Sequence, residues 1–184
     1  MGLTGLVLLA LGGPQGGEEI IERYRQAVNA HDMDRALACL APDFQLHFVG
    51  SEYSLSKEAL SKAMGWDAGA DGQVEWEPVG SSGGSFSYEG QESNEFLRLL
   101  GIPHLKFQTT FSVNSQGLIE KQRYQLLPDQ PSSQEAMKPA VEWARRHRPQ
   151  ELAEIYPDGQ MVYSKEMARR WVALLKEWRA ATSP

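Results

Sequence analysis

The sequence predicts an α+β domain in which a curved antiparallel β-sheet packs against three N-terminal helices and is followed by a helical C-terminal extension. Three observations carry this. Ile20, Ile21, Tyr24, Ala27 and Val28 recur at the spacing of one helix face. Leu105, Phe107, Thr109, Phe111 and Val113 alternate with His104, Lys106, Gln108, Thr110 and Ser112, as in a strand with one apolar side. Met167, Trp171, Leu174, Leu175 and Trp178 form an apolar stripe that must dock on something. The chain has 184 residues, 41% of them hydrophobic and 23% charged, which suits one main core and opposes wholesale disorder.

Residues 1–17 read as an apolar segment and linker, 18–127 as the α+β domain, and 128–184 as helices packed on that same domain. Leu3 to Leu11 followed by Gly12-Gly13-Pro14 has the character of an export signal without a basic start. The alternative is a cytoplasmic protein in which this run is a disordered tail or an apolar arm docked on the domain. The run is too short to span a bilayer, which takes about 20 residues.

Within the domain, a first helix from Glu18 ends near Ala30, and Asp32 caps a short second helix carrying Ala36, Leu37 and Leu40. Ala41-Pro42-Asp43 stops it, and Phe44 to Val49 alternates as a strand. Ser54 or Ser56 caps a third helix with Leu60, Ala63 and Met64 inward. Gln73–Val79 and Ser85–Glu89 form a hairpin around Gly80 to Gly84, and Gln91 to Leu100 follows with a helical stripe of Phe96, Leu97 and Leu100. The strand from Leu105 turns at Asn114-Ser-Gln-Gly117 into a last strand, Leu118 to Leu127. In the extension, Ser132 with Glu135 makes a capping box, Pro149 opens a short helix, and Ser164 caps the final one.

Several function classes drop out. The net charge of −6 gives no general attraction to phosphate backbones, and Arg145-Arg146-His147-Arg148 reads as a helix end, so no nucleic acid is expected. Cys39 is the single cysteine and sits on an apolar stripe, which excludes an internal disulfide and reads as packing. His31, His104 and His147 lack metal-ligand spacing, so neither a metal nor a cofactor is expected. Gly80 to Gly84 lies between strands without a following Lys-Ser/Thr, which argues against a phosphate loop.

The ordered set Tyr24-x4-Asn29-Ala30-x-Asp32-x-Asp34, Leu40-Ala-Pro-Asp43-Phe44, Leu46-His47-Phe48-Val49-Gly50, Leu55-Ser56 and Asn114-Ser-Gln-Gly117-Leu-Ile119 resembles the nuclear transport factor 2-like superfamily. The resemblance is to its SnoaL-like polyketide cyclase and ketosteroid isomerase branches, over roughly residues 18–127. It implies a cone-shaped fold with an apolar pocket, a small hydrophobic ligand or substrate, and a homodimer through the outer face of the sheet. In the isomerase branch a tyrosine and a protonated acid bind an oxyanion while a second carboxylate moves the proton. Tyr24 matches the tyrosine, the base falls on His47 or Phe48, and the second acid falls on Thr109. Where cyclases carry acids on the last strand, this chain has Lys121-Gln122-Arg123-Tyr124.

Tyr24 and His47 are therefore the catalytic candidates. Phe48, Trp66, Trp76, Phe107, Thr109, Phe111, Gln122 and Tyr124 join them as ligand-binding candidates. Three readings follow: a pocket protein binding a small, largely hydrophobic molecule; an isomerase, cyclase or dehydratase using His47 and Tyr24; or a dimeric interaction module. Each candidate also has an ordinary structural role, the histidine as a bonded imidazole and the aromatics as core.

Overall fold

The computed structural model describes residues 14–182. The apolar run Leu3–Leu11, and with it the export reading, lies outside the described residues. Helix α1 spans Pro14–Asn29, α2 Met33–Ala38 and α3 Lys57–Gly69; strands β1 to β4 are Leu40–Phe48, Ser54–Ser56, Gln73–Ser82 and Ser85–Ser93. Then come α4 (Glu95–Leu99), β5 (Leu105–Val113), β6 (Ile119–Leu126), α5 (Ser133–His147), α6 (Pro149–Ile155), a 3₁₀ turn at Pro157–Gly159, and α7 (Lys165–Thr182).

The caps work as their chemistry requires. Asp32 accepts from the Arg35 amide, Ser56 from Ala59, Ser132 from Glu135 and Ser164 from Met167, each satisfying one open donor of a helix start. Several boundaries differ from expectation: Ser54–Ser56 forms a short strand on β1, and β3 runs on to Ser82, into the stretch read as the turn. Helix α1 begins at Pro14, within the stretch read as linker, because proline suits the first helical position, where no amide partner is needed. Strand β1 begins at Leu40 and runs through Pro42, with its ladder interrupted between Leu40 and Gln45, where a residue lacking an N–H can be carried. Strand β4 runs on to Ser93, so Gln91 and Glu92 are strand residues and α4 keeps only Glu95–Leu99.

The six strands lie in the order β2-β1-β6-β5-β4-β3. Every pair is antiparallel except β1 with β6, which run parallel. The register places Leu46, Phe48, Gln122, Tyr124, Phe107, Phe111, Phe86, Tyr88 and Trp76 on the concave face. Polar pairs ladder across the outer face, among them Gln108 with Glu89 and Gln91 with Glu75.

Gly90 permits the curvature. It stands opposite both Trp76 and Phe107, and a Cβ there would come within 2.3 Å of the Glu75 carbonyl oxygen and 2.9 Å of the Phe107 ring. Asn29, the last residue of α1, ties the helix to the edge strand. Its side chain donates to the Val74 carbonyl and accepts from the Val74 amide, both at 2.8 Å, as a strand backbone would. The concave face, α1 and the start of α3 enclose one apolar cluster around Ile21, Tyr24, Phe44, Phe111 and Ile119.

The C-terminal helices build a second cluster against the other side of α3. Trp171 is fully buried, its ring edge-on to Phe96 and Tyr156, and its indole donates to the Ile155 carbonyl at 3.3 Å. Helix α7 crosses α3 closely because Gly69 has no side chain; a Cβ there would fall 2.3 Å from the Lys165 carbonyl oxygen. Among the described residues no helix is long and apolar enough to cross a membrane.

Gly90→Ala is expected to cost about 1–3 kcal/mol, since the added methyl meets backbone oxygen rather than a yielding side-chain end. Urea unfolding would measure it, and a change below about 0.5 kcal/mol would show that the strands separate freely at this point.

Candidate functional site

The cone leaves a cavity of about 680 Å³ at its wide end. That volume is in the range of small-molecule sites. Its walls are chiefly apolar and aromatic. Tyr24 and Val28 come from α1; Leu60, Ala63, Met64, Trp66 and Asp67 from α3; and Leu46 and Phe48 from β1. The sheet beyond contributes Val74, Trp76, Glu92, Phe107, Gln122 and Tyr124. Among the described residues the C-terminal extension reaches it through Tyr163 alone, whose ring sits 5.3 Å from that of Trp66.

Of the ligand-binding candidates, Tyr24, Phe48, Trp66, Trp76, Phe107, Gln122 and Tyr124 all line this cavity. His47, Thr109 and Phe111 do not. On β1 the side chains alternate, so His47 stands on the opposite face from Leu46 and Phe48, beside Ser54 and Arg123 in the ladder. The pairing of His47 with Tyr24 on one concave surface is therefore not formed. Thr109 is closed off at 2% exposure, donating to the Arg123 carbonyl and accepting from Gln122 Nε2 at 3.1 Å. Phe111 is wholly buried and packs edge-on against Tyr24 with ring centres 6.2 Å apart, so it floors the cavity without reaching it.

Two carboxyl groups that sequence reasoning did not single out occupy the same space. Asp67 hangs from the last turn of α3 and Glu92 from β4. By exposed area both are only half-buried, because the cavity is open, yet protein surrounds them on every other side. Removal from bulk water pushes the Asp67 carboxyl up to about 6, opposed by His31 behind it. Glu92 is pushed up to about 7, first by desolvation and then by the charge of Asp67, opposed by a hydrogen bond from Tyr124. Tyr124 and Tyr24 are both raised well above the usual phenol range, by burial first and then, for Tyr124, by Glu92 and Asp67 and, for Tyr24, by Asp67 and Cys39, so both hydroxyls keep their protons. No hydrogen bond to the Asp67 carboxyl is formed by any described residue.

His31 sits behind Asp67 in the left-handed turn that ends α1, with φ 55°. Its Nε2 is buried without a hydrogen-bond partner, 3.6 Å from Asp71 Oδ1, and it shares a narrow crevice with Asp67, Val28, Met33 and Met64. Asp71 in turn faces Arg98 Nη2 at 3.8 Å. Cys39 is buried and its thiol donates to the Arg35 carbonyl, a packing role. Among the described residues no cluster of His, Cys, Asp and Glu could hold a metal ion.

A carboxyl raised on folding binds protons more readily in the native than in the unfolded state. Its native form is therefore favoured at low pH and loses stability as pH rises from about 4 through the raised value. Asp67→Asn and Glu92→Gln are accordingly expected to stabilise the protein at pH 8 by about 1–3 kcal/mol each, a gain that vanishes near pH 4. Denaturant midpoints at the two pH values would measure this, and destabilisation at pH 8 would show that the carboxylates are held by partners.

No protein-family model matches the chain, and no curated protein matches it. Solved structures do resemble it. SalBIII, an epoxide hydrolase/cyclase-like enzyme in pyran ring formation in the polyether salinomycin, superposes with a TM-score of 0.55 at 17% identity, over 64% of this chain and 95% of that one. A putative ketosteroid isomerase from Kribbella flavida gives 0.53 at 12% identity, over 64% and 82%. Rv0760c from Mycobacterium tuberculosis, in complex with estradiol-17β-hemisuccinate, gives 0.50 at 23% identity, over 59% and 92%. These likenesses, together with the six-stranded curved sheet and its helices, show that the chain has the nuclear transport factor 2-like fold.

Proposed function

We propose that this protein is a SnoaL-like pocket protein whose cone binds a small, largely hydrophobic molecule and meets that molecule's polar end with Asp67 and Glu92. The observation that carries this reading is a cavity of about 680 Å³ with apolar walls and two desolvated carboxyl groups from different elements. Holding such groups away from water costs stability, and a fold keeps that cost where a bound molecule makes use of it. The steroid-bearing relative supports an apolar occupant of this size. Trp66 and Trp76 are reporters in the walls. The neutral probe 2-naphthylmethanol should quench their fluorescence saturably, and Ala63→Phe, which fills the cavity, should weaken binding at least about 10-fold. Linear, unsaturable quenching in the unaltered protein would overturn the reading.

A second reading follows from the same carboxyl pair. One acid at about 7 beside one at about 6 is suited to proton donation by Glu92 and proton acceptance by Asp67 near neutral pH. With a cyclic ether, water would attack a ring carbon while Asp67 takes the water proton and Glu92 protonates the departing ring oxygen, Tyr24 donating to that oxygen. The likeness to an epoxide hydrolase/cyclase-like enzyme supports this branch of the isomerase, cyclase and dehydratase class, with Asp67 and Glu92 in place of His47. Styrene oxide should be hydrated by the protein, and Glu92→Gln or Asp67→Asn should lower the rate by about 10²–10⁴. No diol above the buffer rate would remove epoxide hydration from consideration.

A further inference from the structure

We infer that the molecule this cavity selects is a hydrophobic amine, held with its ammonium group between Asp67 and Glu92. The inference rests on the first reading above, that the cavity is a binding site, and names the chemistry of its occupant.

The lining is one-sided in charge. Asp67 and Glu92 are its acids, Tyr24, Tyr124, Tyr163, Gln122 and Gln125 among its neutral polar groups, and among the described residues no lysine, arginine or histidine lines it. Lys121 and Arg123, the nearest cations along β6, alternate onto the outer face, away from Gln122 and Tyr124. An anion entering this space meets carboxylates in a poorly hydrated setting with no counter-charge, which is strongly unfavourable. An ammonium meets the reverse.

The walls also suit a cation beyond its charge. Trp66, Trp76, Phe107 and Tyr124 present rings to the cavity, with Phe107 and Tyr124 stacked 5.0 Å apart. Aromatic faces attract an ammonium by their negative π surfaces, most strongly where water is scarce. Asp67 lacks a hydrogen-bond donor of its own among the described residues and faces the space such a group would fill. An ammonium supplies up to three donors, enough to serve both carboxyl groups at once.

Proton linkage sharpens the expectation. The groups acting on the pair are each other, Tyr24 from α1, His31 behind Asp67, Tyr124 from β6 and Tyr163 ahead of α7. His31 stands outside the cavity lining. A bound cation lowers both carboxyl pKa values, so near pH 6.5 amine binding expels protons held by the pair. A neutral ligand of the same shape leaves most of them in place.

Three probes sharing one ring system separate the possibilities: 2-naphthylmethylamine, 2-naphthylmethanol and 2-naphthoate, titrated calorimetrically against the full chain. At pH 7.5 the amine is expected to bind at least about 10-fold more tightly than the alcohol, and the carboxylate at least about 10-fold more weakly. Lowering the pH to 5.5, where the pair takes up protons and the amine stays charged, should shrink the amine's advantage. At pH 6.5, repeating the amine titration in two buffers of different ionisation enthalpy should reveal proton release, and the alcohol should show little. In the double variant Asp67→Asn, Glu92→Gln the amine should lose its advantage over the alcohol. Saturable alcohol binding equal to or tighter than that of the amine at pH 7.5 would overturn the inference while leaving the binding site standing. Carboxylate binding as tight as the alcohol's would overturn it too. Failure of all three to bind would remove both this inference and the reading beneath it.

Discussion

The structure depends on a sheet bent more sharply than its side chains would ordinarily allow. Trp76 on β3 and Phe107 on β5 both lean over Gly90 on β4, and the missing side chain at that point is what lets three strands close on one another. The bend brings the edge strand β3 within reach of α1, where Asn29 closes the gap with its paired hydrogen bonds to Val74. A flatter sheet would be covered by the helices and leave no interior space. A curved one holds its walls apart, and the ring cluster of Phe111, Tyr24, Trp76 and Tyr88 closes one side of the space, with Tyr24 and Trp76 lining it.

From that hollow the electrostatics follow. A carboxyl group on a solvated face keeps its ordinary affinity for protons; the same group on the inner face of a cone loses water without gaining a partner. Asp67 is in this position, and its charge makes Glu92, itself desolvated, harder to ionise. Tyr124 relieves Glu92 in part, and His31 relieves Asp67 from behind. Both carboxyls are thereby held well above their ordinary range, at about 6 and about 7, with Glu92 carrying the added repulsion of Asp67.

Much of this was legible in the sequence. The two-residue alternation of β5 and β6 identified Phe107, Gln122 and Tyr124, and the helical period of α1 identified Tyr24. His47 against Phe48 was a choice between neighbours, and one residue in a strand exchanges the inner face for the outer. Phe48 lines the cavity and His47 does not. Thr109 and Phe111 have the right parity but are covered, Thr109 by its bonds to Gln122 and the Arg123 carbonyl and Phe111 by the rings of Tyr24, Trp76 and Tyr88, and parity carries no information about what covers a side chain. Glu92 was hidden because the stripe Phe96, Leu97, Leu100 was extended back to Gln91, whereas Phe86, Tyr88, Gly90 and Glu92 share the period of a strand. Asp67 left a signal that could have been followed: Leu60, Met64 and Asp67 fall on one stripe of α3, and an acid on an inward stripe is out of place unless it serves a site.

The extension completes the site without contributing its chemistry. Helix α3 carries Trp66 and Asp67 side by side, and because successive helical residues point about 100° apart the two serve different neighbours. Trp66 belongs to the C-terminal cluster, edge-on to Phe96 and capped by Tyr163. The close crossing at Gly69, with Ala168 and Lys165 of α7 pressed against it, fixes the end of the same helix. A carboxylate that repels its neighbour would tend to swing toward water if its backbone could follow. With α3 clamped between the cone on one side and α7 on the other, Asp67 has only rotation of its own short side chain, so its charge stays directed into the cavity. The helices after Pro128 thus bear on the cavity by holding the end of α3 in place, while among the described residues only Tyr163 of the extension lines it.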